Sequence, residues 1–243
     1  MDISERMLVC GAEISRVEES IQRMGRAFGA ERVDAFIITT SMVVTLHDGA
    51  HHAYTQTRRV RAIEMDIEQL HALNALSRRI CAEHLSAEAA EEAFCHLAKG
   101  KAYPRWVRIL ACGVISGAFT LFFGGGWQDG VVSFGIALLL AVLVLFCERV
   151  GLNKIFAKFF CTFLSTALAF LAMRLGAIAL VDQTIIGVIM TLIPGVGLTN
   201  ALRDLFVGDS IAGLLRTIEA VLFALAIAGG YLLSAYLMGG FAA

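Results

Sequence analysis

Nine residues in the second half of the chain have side chains or backbone properties that suit the binding of a small charged molecule. They lie in or beside long apolar stretches, where polar groups are costly and usually face a partner or a pathway. These residues are Asp182, Pro194, Gly195, Gly197, Asn200, Arg203, Asp204, Arg216 and Glu219. Their carboxylates could exchange protons, and an arginine suits a carboxylate because its planar fork matches both oxygens.

The sequence Pro194-Gly-Val-Gly197 predicts a break near the inner end of an apolar helix. Proline removes a backbone donor and glycine loosens the helix, so the freed carbonyls can line a cavity. The alternative is a kink that merely ends the helix at the cytoplasmic surface. Arg216 and Glu219 are three residues apart, so a local ion pair at the interface and a role in a pathway are equally open.

Two polar groups in the first hundred residues also invite a chemical interpretation. His47, His51 and His52 surround an Asp48-Gly49 turn, but alternation in a hairpin sends neighbouring side chains to opposite faces. A metal needs three or four convergent ligands, so we expect a solvated turn and neither a metal nor another cofactor.

The second group joins charges of the first helix, such as Glu13 and Glu18, to arginines at 58, 59 and 61. Buried pairs between them, fixing the domain against its neighbours, are the preferred interpretation. A serine hydrolase would need a matched base and an oxyanion hole, and the sequence has no GxSxG motif.

The composition indicates a membrane protein with a polar N-terminal third. The 243 residues are 58% hydrophobic and 17% charged, with a mean hydropathy of +0.73. Soluble proteins are about 45–50% apolar and about 25% charged. Most of the charge precedes Arg108, which excludes a purely soluble enzyme, a disordered chain and a collagen-like repeat. A net charge of −1 provides no basic surface for nucleic acid, so the expected surroundings are a lipid bilayer.

Five apolar segments are long enough to be considered as transmembrane helices, which need about 20 largely apolar residues. The predicted spans cover about 107–124, 130–148, 156–174, 177–198 and 211–236. Lys154 and Lys158 flank the short third span, where their long stems can extend to the interface. Gly113 and Gly117 form a GxxxG spacing that helix packing explains.

Residues 1–103 predict a small α+β domain. The expected elements are a helix over 4–28 closed by Gly29, a strand over 33–47, a returning strand over 51–60, and helices over 61–99 with a new start at Ser86.

The distribution of lysine and arginine predicts the orientation of the chain. Positive residues on one side are Lys99, Lys101, Arg105 and Arg108 before the first span, Arg149, Lys154 and Lys158 after the second, and Arg203 after the fourth. The opposite side has only Arg174. The expected fold is therefore a membrane protein with a small cytoplasmic α+β N-terminal domain, followed over 104–243 by an all-α bundle of about five transmembrane helices.

Several motifs in this order resemble the threonine/serine exporter family. They are CGAEISRVEESIQRMGRAFG (10–29), TRRVR (57–61), NALSR (74–78), YPRW (103–106), FGGGWQD (123–129) and PGVGLTNALRDLFVGDSIAGLLRTIEA (194–220). The last motif is the most specific, and the resemblance covers nearly the whole chain. The similarity is greatest to the smaller bacterial branch, in which the transporter is split across two chains and exports succinate and related dicarboxylates.

The resemblance implies secondary active export, across the bacterial inner membrane, of a succinate-like dicarboxylate or of threonine or serine. It implies a companion small membrane subunit, because long family members have about twice as many spans; a homo-oligomer is left open. The sequence has no GxxxxGK[ST] motif, so ATP hydrolysis is not expected and the chain is not expected to be an enzyme. Our hypothesis is proton coupling through Asp182 or Glu219, with Asn200, Arg203 and the backbone of 194–197 contacting the substrate.

Two other functional classes remain open at this point. The chain could be a regulatory or scaffold subunit whose partner contains the substrate path. It could also be a membrane-anchored enzyme with its chemistry in residues 1–100, although no convincing nucleophile–base pair is present.

Overall fold

The computed structural model describes residues 1–61, 63, 65–98 and 103–238. The chain divides into two compact units. Unit 1 contains Met1–Lys101 and Val196–Thr217, and unit 2 contains Ala102–Gly195 and Ile218–Ala243. The elements in chain order are α1 (Asp2–Val9), α2 (Ile14–Ala27), β1 (Arg32–Ile38), β2 (Ser41–His47), β3 (Ala53–Arg59), α3 (Ile67–Glu83), α4 (Ala87–Ala98), α5 (Arg105–Phe122), α6 (Trp127–Val150), α7 (Lys154–Arg174), α8 (Val181–Ile189), α9 (Gly195–Val207) and α10 (Ser210–Leu237).

The sheet of unit 1 is an antiparallel meander in the order β1-β2-β3. The predicted strand over 33–47 is two strands, because a two-residue turn at Thr39–Thr40 joins Ile38 to Ser41. The predicted hairpin after His47 is present, and its loop covers residues 48–52. Asp48 Oδ1 accepts hydrogen bonds from the N–H groups of Ala50 and His52 at 2.9 Å, which stabilises that loop.

The predicted helix over 4–28 is two helices with a break over residues 10–13. Gly11 has φ +89°, a left-handed conformation that ends α1 and that glycine adopts without strain. Gly29 closes α2 in the same way, with φ +92°. The predicted start at Ser86 is confirmed, because its Oγ accepts a hydrogen bond from the N–H of Ala89.

The core of unit 1 forms between one face of the sheet and the helices α1, α2 and α3. The apolar positions of α1 and α2 recur on one side of each helix, as the sequence pattern predicts. Its buried members are Met7, Leu8, Cys10, Ala12, Ile14, Val17, Ile21, Ile37, Met42, Val44, Val60, Leu73 and Ala212. Ala212, from the first turn of α10, shows that a distant part of the chain completes this core.

Unit 2 is helical, and four of the helices in the described part of the chain are long and apolar enough to cross a membrane. They are Arg105–Phe122, Trp127–Val150, Lys154–Arg174 and Ser210–Leu237. Large apolar side chains such as Val114, Leu139 and Phe146 are 60% exposed, as lipid-facing positions require. The chain is therefore a membrane protein.

Glycines let the helices of unit 2 approach closely. A Cβ on Gly117 would lie 3.0 Å from the carbonyl oxygen of Gly130 on α6, and one on Gly113 would lie 2.9 Å from the ring of Phe134. The predicted packing role of these two glycines is confirmed.

The predicted fourth span, 177–198, is not a continuous helix. α8 has only 9 residues, which gives a length of about 14 Å against the roughly 30 Å of a bilayer core. Residues 190–194 are non-helical, and a new helix begins at Gly195. Thus four long helices replace the five that were expected. The domain boundary at residue 103 and the cytoplasmic location of residues 1–103 stay predictions.

Candidate functional site

Asp204 and Arg216 form a buried ion pair in unit 1. A short connection at Gly208–Asp209 joins α9 to α10, and Gly208 has φ +101°. This turn brings Asp204 Oδ2 to 2.9 Å from Arg216 Nη1, with the two side chains 2% and 10% exposed. The oxygen accepts no hydrogen bond from the described residues, so the attraction is one of charge. Of the two alternatives left open for Arg216 and Glu219, the local ion pair is not formed among the described residues, because Arg216 pairs with Asp204 across the turn.

The break between α1 and α2 lies against the same pair. Arg216 Nη2 donates a hydrogen bond of 3.3 Å to the carbonyl oxygen of Ala12. Arg203 Nη1 is 2.7 Å from Glu13 Oε1. Three of the predicted residues, Arg203, Asp204 and Arg216, are therefore brought together around the residues that precede α2.

Acidic groups in this cluster have altered proton affinities. Burial raises the pKa of Asp204, and the nearby charges of Asp209 and Glu13 add to the rise, while Arg216 opposes it. Burial also raises the pKa of Glu18, again with help from Asp209, although a hydrogen bond from the Ile37 N–H acts in the opposite direction.

The remaining predicted residues are more dispersed. Gly197 and Asn200 are half-buried on α9, and Pro194 directly precedes that helix, whose first residue is Gly195. Asp182 is exposed in the first turn of α8, and Glu219 is exposed on α10. Among the described residues, neither carboxylate has a lysine, arginine or histidine within ion-pair distance.

The interrupted segment of unit 2 has a polar contact that sequence reasoning missed. The Lys158 Nζ on α7 donates a hydrogen bond to the carbonyl oxygen of Leu192, in the non-helical stretch after α8. The same nitrogen lies 4.9 Å from the centre of the Phe223 ring. Lys158 follows Lys154 by one turn, and the sequence predicts that both extend to the membrane interface. The contacts with Leu192 and Phe223 distinguish Lys158, and they involve residues far away in the sequence.

A second missed residue is Asp129, which is 1% exposed. Its carboxylate accepts hydrogen bonds from the N–H groups of Gly126 and Ala179 at 2.8 Å and of Leu180 at 3.3 Å. These contacts hold the segment that enters α8 against the start of α6. The sequence signal was its position in FGGGWQD, at the first turn of a helix.

Two of the three histidines of the hairpin, His47 and His52, are paired with aspartates. His47 Nε2 is 3.1 Å from Asp34 Oδ2, and His52 Nδ1 is 3.1 Å from Asp48 Oδ2. Over the described ranges, no group of three or more histidine, cysteine, aspartate or glutamate residues is placed to hold a metal ion. Arg58 of the second polar group pairs with Asp2 at 3.0 Å rather than with α2.

Curated proteins from several organisms are similar to the chain. It is 29% identical to the "Probable succinate transporter subunit YjjP" of Klebsiella aerogenes, over 96% of this chain and 90% of that protein. The protein of the same name from Escherichia coli K12 is 27% identical, over 96% of this chain and 91% of its own length. The "Threonine/serine exporter" of Corynebacterium glutamicum is 24% identical, over 94% of this chain but only 48% of that protein.

No solved structure matches the chain. The family model of threonine/serine exporters, ThrE, matches residues 1–238. This match includes most of both units and every predicted site residue. The chain therefore belongs to the threonine/serine exporter family.

Proposed function

We propose that the chain is a subunit of a secondary active exporter that moves a small carboxylate-bearing metabolite out of the cytoplasm. The substrate is a succinate-like dicarboxylate, or threonine or serine. The observation that best supports this proposal is the interruption at residues 190–194, in a chain with four long apolar helices. Discontinuous helices in transporters offer backbone groups to a substrate near the middle of the membrane.

The proposed transporter has a second membrane subunit. The Klebsiella and Escherichia relatives are both named as subunits. The Corynebacterium threonine/serine exporter is a longer chain, and the match covers 48% of it. A companion protein would then supply what the rest of that longer chain contains.

The proposed mechanism couples export to protons. Asp182 and Glu219 are candidates for the coupling group, because both are carboxylates on helices of unit 2 and neither is paired with a described cation. Asn200 and Arg203 remain proposed polar contacts for the substrate. Asp204 is less suited to exchanging protons in each cycle, because its ion pair with Arg216 holds it in place.

Counterflow of labelled succinate and labelled threonine in proteoliposomes tests this proposal, with this chain alone and with its companion. We expect exchange of one substrate, and only when both chains are present. Asp182→Asn and Glu219→Gln are tested separately. At the coupling position, the variant should lose substrate accumulation driven by a pH gradient but keep counterflow, which needs no proton gradient. Normal proton-driven export by both variants would contradict coupling through these carboxylates. Absence of any exchange would favour a regulatory subunit.

A further inference from the structure

Lys158 is a cation in the apolar unit 2 without a matching anion among the described residues. It lies in the second turn of α7 and is half-buried. No described carboxylate lies within ion-pair distance of its ammonium group. A charge in such surroundings is costly unless it is paired, and an unpaired one indicates a place where a charged ligand passes.

The two groups that contact the Lys158 ammonium are both neutral. One is the carbonyl oxygen of Leu192, a residue that is only 7% exposed, and the other is the face of Phe223. A carbonyl and an aromatic ring attract a cation, but a carboxylate forms a stronger, charge-assisted hydrogen bond. Both contacts can therefore be exchanged for an oxygen of an anionic ligand.

The position of Leu192 connects this cation to the interrupted helix. α8 ends at Ile189 and α9 begins at Gly195, so Leu192 lies between the two helices and its carbonyl oxygen is outside their regular hydrogen bonding. The neighbouring N–H of Leu192 bonds to the Ile189 carbonyl at 2.8 Å, which fixes the tight turn that presents this carbonyl. The ammonium group thus lies at the non-helical stretch that interrupts the helices of unit 2.

The arginines in the predicted site are differently placed. Arg203 is paired with Glu13, and Arg216 with Asp204, so the charge of each is already balanced within unit 1. Lys158 in unit 2 is free to accept an anion without breaking an ion pair among the described residues.

We infer that the Lys158 ammonium group binds the carboxylate of the exported metabolite, and that the Leu192 carbonyl and the Phe223 ring hold it in the empty state. This inference rests on the proposed export of a carboxylate-bearing metabolite. Binding exchanges one hydrogen bond of the ammonium group for a charge-assisted one, and no covalent bond changes. Lysine recognises the carboxylate that succinate and threonine share, so it selects for an acid rather than for one of the two.

The test uses the full chain with its companion subunit in proteoliposomes and measures counterflow of labelled succinate and of labelled threonine. For the transported substrate, Lys158→Gln should raise KM about tenfold or more, because a charge-assisted hydrogen bond is lost. Lys158→Arg keeps the charge and should stay within a few-fold of the wild type. Lys154→Gln is the matched control, since Lys154 is exposed one turn earlier on the same helix, and it should not change KM.

A binding measurement separates loss of the site from loss of the fold. In detergent, the transported substrate should raise the melting temperature of the wild type and of Lys154→Gln, but not that of Lys158→Gln. Wild-type KM in the Lys158→Gln variant, or an undiminished shift of its melting temperature, would overturn the role of Lys158 and leave the exporter proposal standing. An inactive wild type with both substrates would overturn the exporter proposal and this inference with it.

Discussion

At the scale of single residues, the half-buried carboxylate of Glu18 in unit 1 lowers the stability of the fold when it is ionised. Glu18 is half-buried on α2, and the carboxylate of Asp209 adds to the rise in its pKa. A carboxyl whose folded pKa is raised holds its proton more tightly in the folded state. It therefore contributes most to stability below its unfolded pKa, and that contribution is lost as the pH rises through the folded value.

Replacing Glu18 with glutamine should remove this loss. We expect Glu18→Gln to melt at a higher temperature than the wild type at neutral pH, and the gap should close as the pH is lowered into the acidic range and Glu18 takes up its proton. The measurement is thermal unfolding of the full chain in detergent across that range. Glu19→Gln serves as the control, because Glu19 is an exposed neighbour that pairs with Arg23 on the same helix. A constant gap at all pH values would show that Glu18 does not titrate.

The Asp204–Arg216 pair should behave as a buried unit. Arg216→Met leaves Asp204 as an isolated buried carboxylate, and we expect a loss of about 3–5 kcal/mol in the free energy of unfolding. The double variant Asp204→Leu/Arg216→Met removes both charges and should be more stable than the single one. Chemical unfolding in detergent compares them. Equal losses in the two variants would mean that the pair contributes only through packing.

Sequence reasoning identified the members of this cluster but not their pairing. Arg216 and Glu219 are three residues apart, so a single-helix argument joined them. The partner is instead twelve residues back, and only the tight turn at Gly208–Asp209 brings the two helices together. Lys158 was missed for the same reason, since its contact with Leu192 is 34 residues away.

At the scale of elements, close helix packing in unit 2 depends on glycines that have only a hydrogen where other residues have a side chain. A Cβ on Gly187 of α8 would lie 2.8 Å from the carbonyl oxygen of Ser116 on α5 and closer still to the Thr120 hydroxyl. The same residues of α5 form a buried hydroxyl chain with Ser133 of α6, whose Oγ lies 2.6 Å from Ser116 Oγ and 2.7 Å from Thr120 Oγ1. α8 therefore contacts this hydroxyl chain directly, and there is no space for a side chain at Gly187.

Gly187→Ala should separate α8 from α5 and disturb the hydroxyl chain. We expect a loss of about 1–3 kcal/mol in stability from overpacking, together with reduced transport. The matched control is Gly135→Ala on α6, where a new Cβ would meet nothing within 4 Å. That change should be neutral or stabilise the helix by up to about 1 kcal/mol. Equal stabilities of the two variants in a thermal melt would contradict the close contact.

The sequence predicts elements well where periodicity is strong and poorly where a turn has no characteristic residue. Four long apolar helices, the hairpin after His47 and the start at Ser86 follow from composition and caps. The turn at Thr39–Thr40 has no glycine, asparagine or proline, so nothing distinguishes it from the strands on either side. The Pro194–Gly195 pair predicted a break, but the structure starts that break four residues earlier, at residue 190.

At the scale of the whole molecule, the division of the chain into two units limits the ways in which it can cross the membrane. Val196–Thr217 belongs to the same unit as Met1–Lys101, so both stretches should face the same compartment. If that compartment is the cytoplasm, three long helices bring the end of α7 to the outside. The interrupted segment around α8 must then return the chain, and α10 must cross once more.

This path predicts a cytoplasmic N-terminus and an external C-terminus. Alkaline phosphatase fused after residue 243 should be active, and a green fluorescent protein at the same position should be dark. The reverse fusion pattern is expected at the N-terminus. An inactive phosphatase at the C-terminus would mean that α8 enters the membrane and leaves on the same side.

The division of unit 1 between two stretches of chain has a consequence for biogenesis. Its N-terminal part leaves the ribosome before α9 is made, because 94 residues lie between Lys101 and Val196. At about 5–20 residues per second, the nascent chain waits on the order of 10 s for Ala212 and Arg216. During that interval, three long apolar helices are made while the core of unit 1 still lacks Ala212. Folding of unit 1 is thereby delayed until its second stretch, Val196–Thr217, has been made, and a defect in membrane insertion should leave this unit unfinished.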